Sequence, residues 1–350
     1  MTGAGRLRPI SWSDAVQWIM PGRRTNLALG FLVVAAVLTG LASNTIGVER
    51  ALDLAMIHGV TSLGILVLAP WKSIIIRRGL AKPRPGNWTS LVLLGLLVAA
   101  LGTGLLHSTG TTYRLGALTV MQIHVGAGMI ALALVVQHYL RHPVRPRGVD
   151  LDRRAFLRIT ALAGLATLSW WGWEWAAQAL RWPGSKRRFT GSHERGSGDP
   201  SLLPVTSWFD DQVPLLDPDR WEIAVGNETY RLHQLTAITH EKFEALLDCT
   251  GGWYSVQEWE GVRLDQLLAA EDWRSFEVRS ATGYARRFPI GDLRKVYLVT
   301  KVGNAPISLG HGYPARVVAP GRRGFWWVKW VVRIKPSRQP WWVQSPFPLT

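Results

Sequence analysis

Five apolar stretches crowd the first half of this chain of 350 residues and limit what it can fold into. A helix of about 20 residues crosses ~30 Å of hydrocarbon at 1.5 Å per residue. The stretches run over about 25–42, 51–76, 88–106, 118–139 and 155–178, and all reach or approach that length. Inside lipid a backbone must satisfy its own hydrogen bonds, which a single apolar stretch does only as a helix. The expectation is an N-terminal all-α transmembrane bundle of about five helices, spanning 1–182.

The formal net charge of +16 raises the question of a nucleic-acid surface. The basic residues lie beside the apolar stretches instead. Arg6, Arg8, Arg23 and Arg24 precede the first, KSIIIRRGLAKPRPG joins the second to the third, and RHPVRPRGVDLDRR joins the fourth to the fifth. The other two loops, SNTIGVER and HSTGTTYRLG, are poor in positive charge. By the positive-inside rule the N-terminus is inside, and five crossings place the chain beyond about Trp182 outside. The charge is then a topology signal for a bacterial cytoplasmic membrane, with lipid as the partner and no nucleic acid. Arg153 and Arg154, followed by Phe156, Leu157 and a moderately apolar run, resemble an internal twin-arginine export signal. Trp12 and Trp18 predict a short helix lying on the membrane surface.

Histidines inside apolar helices are functional candidates, because an unpartnered polar ring is costly in lipid. His58 and His124 lie at matched depth, roughly 10 Å below the outer surface. Two imidazoles so placed can supply both axial positions of a haem b. Gly59, Gly126 and Gly128 leave room for a flat macrocycle. His107 is an alternative ligand. His138 shares a face with His124, but an inner haem there would find Lys72, not a histidine, on the second helix. One outer haem is expected, and a quinone is its natural electron partner in the membrane.

Residues 183–200 are polar and rich in Gly and Ser and predict a linker. Beyond them short β-like runs alternate with turns. RWEIAVGNETYRLH reads as a hairpin turning at Asn-Glu, with further strands in SFEVRSATGYARRFPI, KVYLVTKVGN, ARVVAP and WWVKWVVRIKP. THEKFEALLD and VRLDQLLAAE read as short amphipathic helices. An α+β domain over 201–350 is expected. Its one cysteine, Cys249, excludes an internal disulfide and any multi-cysteine metal site.

DCTGGWYSVQEWEGVRLDQLL (248–268) and LGHGYPARVVAPGRRGFWWVKWVVRIK (309–335) together resemble two signatures of the sulfite-oxidase-like molybdopterin family, in that family's order. The resemblance covers roughly 208–348. It implies a sulfite-oxidase-like fold, a molybdopterin cofactor, and Cys249 as the catalytic residue and the protein's molybdenum ligand. His311, Arg316 and Lys329 are implied as pterin contacts, and Arg286 and Arg287 are candidates for pterin or anionic substrate. Sulfite oxidases carry arginines just after the cysteine. This chain has Thr250, Gly251, Gly252 and Trp253, which is closer to the bacterial branch that reduces methionine sulfoxide. The implied function is a membrane-anchored oxidoreductase transferring an oxygen atom to or from a small-molecule or protein sulfoxide, coupled to a membrane haem and quinone. The alternatives are sulfite oxidation without haem, and a non-catalytic membrane protein that has lost its cofactor.

Overall fold

The computed structural model describes residues 22–47, 51–80, 87–141, 143–207, 211–238, 240–270 and 272–345. The interfacial helix expected around Trp12 and Trp18 lies outside them. The chain divides into two compact units, one of residues up to 43 and 52–186, the other of 44–51 and 187 onward.

The first unit is helical. Its long helices are α1 (Gly22–Thr45), α2 (Ala51–Leu80), α3 (Asn87–Thr109), α4 (Val120–Arg141) and α5 (Arg153–Ala179). A two-strand ribbon of β1 (Arg114–Leu115) and β2 (Leu118–Thr119) turns the chain between α3 and α4. The first four helices are long and apolar enough to cross a membrane. The fifth forms where it was expected, but Arg158, Glu174 and the polar residues between them leave it less apolar than the other four. Asp152 caps it, accepting from the Ala155 N–H at 2.6 Å, and pairs with Arg24 at 3.1 Å. Each carboxylate here neutralises an arginine at the start of α1, since Asp150 also pairs with Arg23. Trp173 on α5 donates to Ser108 on α3 at 2.8 Å.

The second unit is built on two sheets. In the larger, β6 (Glu241–Cys249) and β7 (Trp253–Arg263) form a long antiparallel hairpin. β10 (Tyr297–Val302) lies on the other edge of β7 and is flanked by β11 (Ala305–Pro306) and β12 (Arg316–Val318). A short β3 (His193–Glu194) adds in parallel to β7. The smaller sheet has the order β5–β4–β13–β8–β9, from β4 (Glu222–Val225), β5 (Glu228–Arg231), β8 (Ser275–Ser280), β9 (Ala285–Pro289) and β13 (Val331–Ser337). Its core includes Ile223, Phe276, Phe288 and Ile334, all fully buried.

Three expectations change. THEKFEALLD is strand β6, not a helix. Its Glu, Lys, Ala and Leu favour helix locally, but nine cross-strand pairs with β7 override that weak preference. VRLDQLLAAE likewise begins as the end of β7 and closes in a single 3-10 turn, Leu264–Gln266; among the described residues the α-helix beside the sheets is α6 (Leu232–Ala237). The polar stretch 183–200 is not free chain: it supplies β3 and, as shown below, several partners of the site. The first hairpin forms as read, but it turns at Gly226–Asn227, where Gly226 takes φ 61°.

Gly261 explains the Trp-x-Gly-Val spacing in β7. A Cβ there would lie 2.3 Å from the Leu298 carbonyl and 2.6 Å from Val299 Cα, so only glycine lets β10 close onto β7. Gly261→Ala should destabilise the sheet by about 1–3 kcal/mol. Thermal unfolding of the purified chain checks this, and a melting temperature unchanged from wild type would refute the close approach.

Candidate functional site

Cys249 ends β6 and faces Trp253 across a three-residue turn. Gly252 takes φ 85°, which its missing side chain permits, and its N–H donates to the Cys249 carbonyl at 3.2 Å. The Gly251 N–H points at Cys249 Sγ, 3.3 Å away. The thiol is 8% exposed, and burial pushes it above its ordinary pKa, although the Gly251 N–H and the charges of Arg323 and Lys329 pull the other way. A metal ion would reverse this, since coordination removes the thiol proton outright.

The residue before it holds it in place. Asp248 is 3% exposed, and its carboxylate accepts from Ser192 at 2.6 Å, Thr190 at 2.7 Å and Arg188 at 3.2 Å. The buried Arg323 pairs with the same carboxylate, and its other amino group donates to the Cys249 carbonyl at 3.3 Å. Sequence reading missed this cluster. An acid beside a buried cysteine was its only signal, and its partners lie in what looked like a linker. Gly324 completes the seat, because a Cβ there would come within 3.1 Å of Cys249 Cα.

Cys249 opens onto a cavity of about 70 Å³, lined also by Thr206, Asp211, Tyr284, Trp327 and Lys329. Arg316, 2% exposed, lies between the Trp259 and Trp327 rings at 5.4 and 5.7 Å. It donates to the carbonyls of His311 and Trp327, at 3.0 and 3.2 Å, and its Nε–H is buried without an acceptor. Lys329 donates only to the carbonyls of Gly310 (2.6 Å) and Thr206 (2.9 Å). Burial, with Arg316 adding repulsion, brings its pKa down to about 7. Arg316 is brought down to about 10 by burial, and His311 to about 4 by burial and then by Arg316 and Lys329. His311 is therefore neutral. It sits 2.7 Å from the Ser308 hydroxyl and donates from Nε2 to the Pro204 carbonyl at 3.4 Å. Among the described residues no carboxylate lies within ion-pair distance of Arg316 or Lys329. The cavity's own carboxylate, Asp211, acts on Lys329 only from beyond ion-pair distance, and Arg316 keeps an orphaned N–H, so both cations have donors left for a further anion. A soft thiol beside them fits a thiolate-liking metal carried on a phosphorylated pterin.

Arg286 and Arg287 do not line this cavity. Arg286 is buried over the Trp326 ring at 4.5 Å, and its Nε–H has no acceptor. Arg287 points to the other face of β9, where it pairs with Glu277 at 3.2 Å and donates to the Val343 carbonyl at 2.9 Å.

In the helical unit His58 and His124 come together, with ring centroids 5.8 Å apart and planes at 82°. Each uses Nδ1 on a backbone carbonyl, Ala36 at 2.7 Å and Ala100 at 2.8 Å. A carbonyl only accepts, so each Nδ1 carries the proton and each Nε2 keeps a free lone pair. The glycine expected to leave room, Gly59, instead lies against Trp170, which a Cβ there would meet at 2.0 Å.

Residues 210–344 match the family profile described as oxidoreductase molybdopterin binding domain. The C-terminal unit is a molybdopterin-binding oxidoreductase domain. Four helices long and apolar enough to cross a membrane precede that domain in the chain. Among solved structures it is similar to the sulfane dehydrogenase SoxCD from Paracoccus pantotrophus, at 23% identity and a TM-score of 0.34. The match covers 36% of this chain and 40% of that one. No curated protein shows significant similarity to the chain.

The uncompensated charge has a testable sign. Between its folded pKa near 7 and its ordinary 10.5, Lys329 is protonated in the unfolded chain and not in the folded one. The stability of the cofactor-free protein should therefore rise with pH across that window. Lys329→Met should remove this slope and raise the cofactor-free melting temperature by a few degrees at about pH 7. The same change should weaken pterin retention. Melting curves against pH for both proteins check this, and an unchanged slope would count against a buried, unpaired ammonium.

Proposed function

We propose that the chain reduces a sulfoxide at a molybdenum centre held by Cys249, with electrons drawn from a membrane quinol through an iron porphyrin held by His58 and His124. One observation carries the first half: a buried thiol beside Arg316 and Lys329, two cations that hydrogen-bond to backbone carbonyls and have no carboxylate within ion-pair distance among the described residues. Cys249 would be the protein ligand. Arg316, Lys329 and His311 would hold the pterin and its phosphate, exchanging backbone carbonyls for phosphate oxygens. When bound, the molybdenum cofactor supplies a two-electron centre able to give up or accept one oxygen atom. The net reaction is sulfoxide plus two electrons and two protons to thioether plus water. Around the cavity Phe325 and Trp327 exclude water, and burial keeps the Tyr284 phenol protonated, its O–H donating to the Phe325 carbonyl. Arg286, buried with a free Nε–H, is retained as a candidate contact for an anionic group. Arg287, already paired with Glu277, is assigned to tethering the C-terminal segment.

The haem half rests on the histidine pair. Two imidazoles sharing one iron need ring centroids about 6 Å apart, from two bonds of ~2 Å plus the ring radii. The observed separation is 5.8 Å, with both Nε2 lone pairs free. The basic loops favour an N-terminus inside. At 27 residues, or about 40 Å, α5 is long enough to cross as a fifth span. We assign Arg153 and Arg154 to export of the C-terminal domain across the bacterial cytoplasmic membrane.

A single spectroscopic experiment tests the whole reading. In membranes reduced with a quinol, adding a methyl aryl sulfoxide should reoxidise the b-type band in wild type and not in Cys249→Ser. Equal reoxidation in both would remove the molybdenum site from the path. Reduction of the oxidised band by sulfite would reverse the direction and put sulfite oxidation in its place.

A further inference from the structure

The helical unit repeats one construction. α1 carries Ala35-Ala36-Val37-Leu38-Thr39-Gly40-Leu41, and α3 carries Ala99-Ala100-Leu101-Gly102-Thr103-Gly104-Leu105. The helix after each carries Ile-His, at Ile57-His58 and Ile123-His124. The structure uses the two sets alike. Thr39 back-bonds to the Ala35 carbonyl at 2.6 Å, and Thr103 to the Ala99 carbonyl at 2.5 Å. The histidines donate to Ala36 and Ala100 at 2.7 and 2.8 Å. A Cβ on Gly40 would lie 2.9 Å from His58 Cε1, and one on Gly104 would lie 3.0 Å from His124 Cε1.

The chemistry of the repeat follows from helix geometry. Residues four apart lie one above the other, so the alanine carbonyl and the glycine face the same imidazole. The carbonyl takes the Nδ1 proton, which fixes the tautomer and raises the basicity of Nε2. The glycine lets the Cε1–Nδ1 edge of the ring come up against the helix. Burying a histidine between apolar helices calls for an acceptor for its N–H, but not for a glycine against the same ring. Both are needed if the ring must be held at one angle.

We infer that the helical unit is a doubled half-site. Each helix pair contributes one imidazole, one carbonyl and one glycine to a single iron porphyrin whose two axial ligands are equivalent, with Gly40 and Gly104 as positioning residues. This rests on the haem reading above and adds to it the slot residues and the equivalence of the ligands.

The test uses the full chain in membranes. Gly40→Ala and Gly104→Ala should each push the imidazole off axis, lower haem retention about tenfold and shift the oxidised iron from low to high spin by electron paramagnetic resonance. Gly95→Ala, whose Cβ meets nothing within 4 Å, should match wild type. His58→Met and His124→Met keep a ligand but lose the Nδ1 bond, and should raise the midpoint potential by equal amounts. These two also keep the test open should a glycine variant fail to accumulate. Glycine variants with unaltered spectra would overturn the slots, and unequal shifts in the methionine pair would overturn the equivalence. Either result leaves the haem itself standing. Wild-type membranes without a b-type band would overturn the haem reading and this inference together.

Discussion

The Asp248 carboxylate is a charge buried where water cannot reach it, and the position of the cysteine depends on how that charge is satisfied. An ionised carboxylate taken out of water costs several kcal/mol unless its lone pairs all find donors. Here the donors are Ser192, Thr190, Arg188 and Arg323. They come from segments far from Asp248 in sequence, so one anion ties the end of β6 to two other parts of the domain. Because Arg323 also donates to the Cys249 carbonyl, satisfying the charge fixes the backbone of the next residue. Moving Cys249 would mean unsatisfying Asp248.

On the cavity side of Cys249 the electrostatics run the other way. Arg316 is as deeply placed and Lys329 is half-buried beside it, yet carbonyls are their only hydrogen-bond acceptors. A fold that can fully compensate one buried acid has the means to compensate two buried cations. Leaving them uncompensated costs stability, which is the usual signature of a site shaped for a ligand. Dithiolene and phosphate are anionic, so the molybdopterin cofactor expected from the family profile is what would restore the balance.

The sequence made some of this visible and hid the rest for definable reasons. Long apolar runs and strand alternation depend on local pattern, and both units were legible from them. Cys249, His311, Arg316 and Lys329 could be named as candidates because two motifs carry them. The β6 strand was not, because its residues favour helix and only pairing with β7 decides otherwise. Ser192, Thr190 and Arg188 were not, because a Gly- and Ser-rich stretch that folds onto a buried acid has the same composition as one that folds onto nothing. The repeat around Gly40 and Gly104 was written in the sequence throughout. It is hard to see because the residues that hold a histidine have no chemistry of their own.

That division between candidate ligands and their seats is common to both units. Gly324 presses against Cys249 and Gly40 against His58, at 3.1 and 2.9 Å from a would-be Cβ. In both places a backbone group fixes the side chain: the Gly251 N–H on the thiol, the Ala36 carbonyl on the imidazole. A backbone partner on a helix or a paired strand has no rotamers to lose, so it holds a ligand more firmly than a side chain would. Cysteines and histidines then mark only the candidate reacting atoms. What makes a site of them is carried by glycines and carbonyls, which show themselves in a sequence only through spacing and repetition.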